Sequence, residues 1–147
     1  MNNQYGPPLK FKAVDTRDGK EFDPDDLQYV GGFEDPEEHE YCIGFMGKLQ
    51  SLHCVICQFT GLFDIAGTEI YAGDVVTVVQ VKGLFLEHPG QILTVFWDGE
   101  TAGFQMCGKK KGEYAPMENL KDCRRIGNVW EPAEILSQRA ENTKDLK

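Results

Sequence analysis

The run "VVTVVQV", Val75 to Val81, constrains this chain more than any other stretch, being almost purely β-branched and preceded by the pair Gly73-Asp74. β-branched side chains lose rotamer freedom in a helix and pack well on a pleated sheet, so the run predicts a long strand. Alternation points Val75, Val79 and Val81 one way and Val76, Val78 and Gln80 the other. A strand apolar on both faces has to be covered twice. Gly73-Asp74 marks the bend where the chain turns into it.

The neighbouring segments supply partners for that strand. Beyond the loop "KGLFLEHPG", the stretch "QILTVFWDGETAGFQM" reads as two β-rich runs joined by a tight hairpin at Asp98-Gly99. "APMENL" suits one helical turn before a strand from Arg124 to Trp130, and "EPAEILSQRA" opens a helix with Pro132 and Glu134 in its first turn. Upstream, "LKFKAV" alternates as a half-buried strand and "DTRDGKEF" turns into a second. "DPDDLQYVGGFEDPEEHEYCIGF" places two extended pieces around an acidic loop, Glu34 to Glu40, read as a solvated linker. "LHCVICQF" is a further β-prone run, and "TGLFDIAGTEIY" is strand, turn, strand around Asp64 to Gly67.

This order predicts a mainly β protein. An N-terminal hairpin-rich β subdomain occupies 1–57, an SH3-like small barrel with a short C-terminal helix occupies 58–136, and 137–147 is a frayed tail. One face of the valine strand belongs to the barrel interior. The other is expected to be hidden by the N-terminal strands or by another subunit, which makes a homo-oligomer one expected assembly.

Composition narrows the classes of function. At 41% hydrophobic and 11% aromatic, the 147-residue chain has the apolar content that disordered chains lack. Its net charge is −9, and residues 1 to 60 carry −6 of it from five basic and eleven acidic side chains. A chain of this sign repels the phosphate backbone, so nucleic acid is not an expected partner. No stretch approaches the roughly 20 apolar residues of a membrane span, and the start "MNNQYGPPLKFK" has no apolar secretory core. Membrane association is therefore not expected, and a cytosolic location is. The five cysteines, odd in number and irregular in spacing, read as reduced thiols.

Three separated blocks resemble one family. "QFTGLFDIAGTEIYAGDVV" (Gln58 to Val76) is similar to the central signature of the YopX family of bacteriophage and prophage proteins. "LKFKAVD" (Leu9 to Asp15) resembles its N-terminal strand, and "IGNVWEPAEIL" (Ile126 to Leu136) its C-terminal Gly-Asn-aromatic-Glu block. The sequence departs from the family pattern at Val14, where a Trp is usual, at Ala72, where an acid is usual, and at Pro132, which falls one position early. The resemblance implies a phage or prophage origin, hence the host cytoplasm, and a β-rich fold with an SH3-like part. It carries over no catalytic residues.

Candidate chemistry is sparse. "HCVIC" (His53 to Cys57) has metal-ligand spacing, but Cys54 and Cys57 face opposite sides of a strand and no second Cys-x-x-Cys follows. Core thiols are the expectation, with no metal site and no cofactor. A Cys-His catalytic pair is disfavoured because His53 and Cys54 are strand neighbours, while His39 and His88 fall in loops. Asp64, Asp74 and Asp98 sit where turns need a local acceptor. The dense basic feature is "CGKKKGEY", in which Lys109, Lys110 and Lys111 lie between Gly108 and Gly112. Together with Arg124, Arg125 and the rings of Tyr114, Trp97 and Trp130, these lysines are the candidate ligand-binding residues.

The expected function is that of a non-enzymatic accessory binding protein acting on a host or phage protein or a small ligand. One alternative is a nucleotide-binding protein that sequesters a host signalling molecule at a subunit interface. A nucleic-acid-binding barrel is a further alternative, which the net charge opposes.

Overall fold

The computed structural model describes residues 9–22 and 54–144. Four antiparallel strands form the first sheet: β1 (Phe11–Asp15), β2 (Glu21–Phe22), β3 (Cys54–Phe63) and β4 (Glu69–Tyr71), in the order β2-β1-β3-β4. The second holds β5 (Asp74–Val78), β6 (Ile92–Asp98), β7 (Gly103–Cys107), β8 (Tyr114–Pro116) and β9 (Cys123–Asn128), in the order β8-β7-β6-β5-β9. A 3-10 turn, Met117–Asp122, precedes β9, and α1, Ala133–Lys144, follows it. The protein is mainly β, with one sheet curled into a half-barrel and a short C-terminal helix. The acidic loop, with His39, Cys42 and His53, lies outside the described residues.

Alternation along the strands builds the core. Val76 and Val78 of β5, Leu93 and Val95 of β6 and Met106 of β7 close on Ile70 of β4, each with essentially no solvent exposure. Val75 points the other way and packs with Ile126 against Leu136 and Ala140 of α1. The second face of the valine strand is thus covered at Val75 by the C-terminal helix and not by the N-terminal strands, while Val81 beyond the end of β5 stays exposed. The run is also a shorter strand than expected. β5 ends at Val78, and the N–H groups of Val79 and Gln80 leave the ladder to donate to the Asp122 carbonyl at 2.9 and 3.3 Å.

Helix α1 continues well past the expected start of fraying at 137. Arg139 Nη1 donates to the Ile126 carbonyl and to Glu131 Oε2, both at 2.7 Å, while Ala140 and Thr143 are buried. These contacts tie the helix to β9, where packing stabilises a short helix better than its propensity does.

The hairpin between β6 and β7 is not the two-residue turn that Asp98-Gly99 suggests. Asp98 pairs with Gly103, so four residues close the loop, with Ala102 at φ 55°. Asp98 Oδ1 accepts the N–H of Glu100 at 2.9 Å, and Gln105 Nε2 donates to Asp98 Oδ2 and Thr101 Oγ1. Asp98 therefore opens the turn through its side chain. The chain passes from the first sheet to the second where β4 runs into β5, and β3 crosses the expected 57/58 boundary unbroken, pairing with β1 in its first half and β4 in its second.

Candidate functional site

The lysine turn connects β7 to β8 and is organised around one carboxylate. Gly108 N–H donates to the Glu113 carbonyl at 2.7 Å and Glu113 N–H to the Lys110 carbonyl at 3.0 Å, closing the loop. The Glu113 side chain folds back over Gly108, where an added Cβ would lie 1.8 Å from Glu113 Oε1. There Glu113 Oε2 accepts Gln91 Nε2 at 2.9 Å, and Oε1 accepts the Lys110 N–H at 3.3 Å. Those two hydrogen bonds, Gln91 first, hold the Glu113 carboxyl below its ordinary range, so it remains charged beneath the turn.

Lys109, Lys110 and Lys111 are exposed above it, and none holds an ion pair among the described residues. Tyr114 follows directly, lying opposite Cys107 on β7 with 54% exposure. Its ring stands 6.3 Å from that of Phe96 on the same face of the sheet. Around the β8 edge, a groove of about 390 Å³ is lined by Phe85, Phe104, Tyr114, Pro116 and Met117. The turn thus presents three exposed lysines, and the strand it leads into begins with an exposed aromatic ring.

The other candidate residues do not converge on it. Trp97 stacks edge-on with Phe104 at 5.1 Å, on the opposite side of β6 from Phe96 and one residue further from the turn. Arg124 is exposed on β9, at the far edge of the sheet from β8. Arg125 points toward the first sheet. Trp130 packs against the bend, its ring where a Cβ on Gly73 would lie 2.9 Å away. Gly73 itself has φ 90°. Ring position and backbone conformation both call for glycine at that residue.

Arg125 belongs to a second constellation, which the sequence reading missed. Asp74, with no solvent exposure, accepts Lys12 Nζ on Oδ1 at 2.5 Å and the Tyr71 N–H on Oδ2 at 2.8 Å, with Arg125 Nε 3.2 Å from Oδ2. That last contact is one of charge, because the Nε–H lacks hydrogen-bond alignment. Glu21 completes the group, accepting Lys12 Nζ at 2.9 Å, Asn128 Nδ2 at 2.8 Å and Arg125 Nη2. Burial pushes the Asp74 carboxyl up, against the pull of Lys12 and Arg125. For Glu21 burial acts upward as well, but hydrogen bonds from Lys12 and Asn128 and the charges of Lys12 and Arg125 outweigh it, leaving its carboxyl low. Two cations against two carboxylates make a closed set that joins the N-terminal hairpin to β5 and β9. No sequence signal marks it, because Lys12 occupies an ordinary polar position in an alternating strand.

The cysteines are dispersed. Cys54 packs with Ala13, Cys57 lies near Gly73, Cys123 sits in the main core and Cys107 faces outward from β7. Burial pushes the thiols of Cys57 and Cys123 up to about 12. Among the described residues no group of three or more His, Cys, Asp or Glu side chains is placed to hold a metal ion. No helix among them is long and apolar enough to cross a membrane.

Fold and site together define a small β protein with a curled half-barrel, a bend sealed by an ion cluster, and a basic turn beside an exposed ring. A family described as "YopX protein" matches residues 10–137, and the chain belongs to it. Among solved structures, the chain is similar to "Crystal structure of protein EF1440 from Enterococcus faecalis", at 21% identity over 89% of this chain and 99% of that one, with a TM-score of 0.49. No curated protein matches.

Proposed function

We propose that this YopX-family chain is a phage-encoded, non-enzymatic binding protein, acting in the host cytoplasm through the lysine turn and the aromatic edge beside it. The partner is an acidic protein surface or a small anionic ligand. One observation carries this reading: Lys109, Lys110 and Lys111 hold no ion pair among the described residues, and the turn that carries them leads straight into β8, whose first residue, Tyr114, is half exposed. Cations beside an exposed aromatic are the components of a recognition patch, supplying electrostatic attraction and a desolvated contact together.

The exposed face of Tyr114 also favours a second reading, in which a nucleotide base stacks on the ring and the lysines take the phosphate. A site shared between two subunits would bring two such turns onto one ligand. Affinity capture from infected cells separates the readings when wild type is compared with a Lys109, Lys110, Lys111 to Ala variant and with Tyr114→Ala. Proteins or metabolites lost with both variants identify the partner class. Retention of every captured species by both variants would refute the assignment.

A further inference from the structure

The loop from β5 to β6 and the lysine turn are separate segments of chain, and among the described residues no backbone hydrogen bond runs between them. They face each other across a depression of about 230 Å³ lined by Glu87, His88, Gln91, Lys109, Lys110 and Glu113. One side chain makes the join. Gln91 Oε1 accepts the Glu87 N–H at 2.8 Å, and Gln91 Nε2 donates to Glu113 Oε2 at 2.9 Å. Glu113 Oε1 then accepts the Lys110 N–H at 3.3 Å, so a relay runs from the backbone of the loop to the backbone of the turn. Its fixed end is the loop. The Gln91 carbonyl accepts the Val78 N–H at 2.9 Å and the Thr77 hydroxyl at 3.1 Å, while Leu86, just ahead of Glu87, is buried in the main core. Its free end is the turn, exposed from Lys109 to Gly112.

The chemistry of this relay fixes the residue at its centre. A backbone N–H only donates and a carboxylate only accepts, so the group between Glu87 and Glu113 must offer one acceptor and one donor, as the glutamine amide does. A glutamate there would set two carboxylates together, and a methionine would release both ends. We propose that Gln91 is the positioning residue of the lysine turn, holding it to the β5–β6 loop through Glu113 in the shape that receives a partner. The partner-binding half of this inference rests on the turn being the binding site. Gln91 itself does not reach a partner, since the residue is only 4% exposed. It acts by preorganisation, because a turn already held in its bound shape loses less conformational entropy when a ligand arrives.

The Lys110 amide, followed by heteronuclear NMR, reports the relay directly. In the wild type its shift should track the titration of Glu113, below the ordinary glutamate range because Gln91 and the Lys110 N–H stabilise the charged form. The other titratable groups facing this carboxylate are Lys109 and Lys110 of the turn, Glu87 and His88 of the loop and the Cys107 thiol of β7. Gln91→Met should move the Glu113 midpoint up and speed exchange of the Lys110 amide by roughly tenfold. Gln91→Glu sets carboxylate against carboxylate and Glu113→Gln sets amide donor against amide donor, so each should loosen the turn. Combined, they restore a donor and an acceptor at every link, and Lys110 exchange should return to within about threefold of wild type. A double variant that exchanges as fast as the worse single would overturn the proposal, as would wild-type exchange and midpoint in Gln91→Met. Hexaglutamate is the binding probe. Gln91→Met alters no charge yet should weaken its binding by roughly fivefold, and unchanged affinity would overturn the positioning role. Failure of hexaglutamate to bind the wild type would instead refute the binding-site reading, with the amide measurements still deciding whether Gln91 holds the turn.

Discussion

Lys12 Nζ lies 2.5 Å from Oδ1 of Asp74, a carboxylate with no solvent exposure, across 62 residues of sequence. The same carboxylate holds the Tyr71 N–H, so one side chain shapes the entry into β5 and anchors the N-terminal hairpin to it. Removing one member of a buried pair strands the other charge away from water, at a cost of about 3–5 kcal/mol. Lys12→Met and Asp74→Asn should each destabilise the protein by that order. The double variant should cost less than the sum of the two, measured by urea unfolding. A loss below about 1 kcal/mol for Lys12→Met would place the pair with ordinary surface bridges.

Stability should fall in alkali through two buried thiols. Cys57 and Cys123 ionise at about 12 in the folded protein against an ordinary 9.0. Above 9.0 the unfolded chain loses these protons while the folded chain keeps them, so rising pH favours unfolding across that window. Each thiol contributes a slope of about 1.4 kcal/mol per pH unit. Cys57→Ala should lower stability near neutrality yet flatten the alkaline slope, and an unchanged slope in denaturant midpoints between pH 9 and 11 would count against burial of that thiol.

The bend at Gly73 tolerates no side chain. Its φ of 90° is costly for any other residue, and the Trp130 ring lies 2.9 Å from where a Cβ would stand. Gly73→Ala should cost about 1–3 kcal/mol from backbone strain, with a further penalty from displacing the ring. The displacement should appear as a shift in tryptophan emission, whereas an unshifted spectrum with wild-type stability would contradict the packing described.

Helix α1 should be required for solubility as well as for stability. Leu136→Ala removes a buried side chain that covers Val75 and Ile126, and should cost about 2–4 kcal/mol. Leu136→Asp should expose that patch and make the protein associate, seen as concentration-dependent light scattering. A monodisperse Leu136→Asp variant would mean that something other than α1 covers the valine strand.

The lysine turn, by contrast, should be dispensable for folding. Changing Lys109, Lys110 and Lys111 together to Ala removes no ion pair among the described residues, so stability should stay within about 0.5 kcal/mol of wild type. A larger loss by thermal unfolding would show that the lysines serve the fold and not a ligand.

Local chemistry in the sequence determined a good deal of this protein. Branched residues at Val75 to Val78 specify a strand, Asp64 and Gly67 specify the turn before β4, and Pro132 with Glu134 places the start of α1. The lysine turn was legible as well, because three adjacent cations between glycines need no tertiary information to be seen. Each of these depends on residues within a few positions of one another. Only the tertiary structure decided which surfaces meet. Leu136 and Ala140 cover Val75 because β9 returns beside β5, and a helical pattern alone does not say which sheet face it will seek. Trp97, Arg124, Arg125 and Trp130 look like companions of the lysines by residue type, yet strand order and alternation send them to different faces. Lys12 reads as a solvated strand residue until folding sets it beside Asp74, where loss of water turns an ordinary charge into one that must be paired.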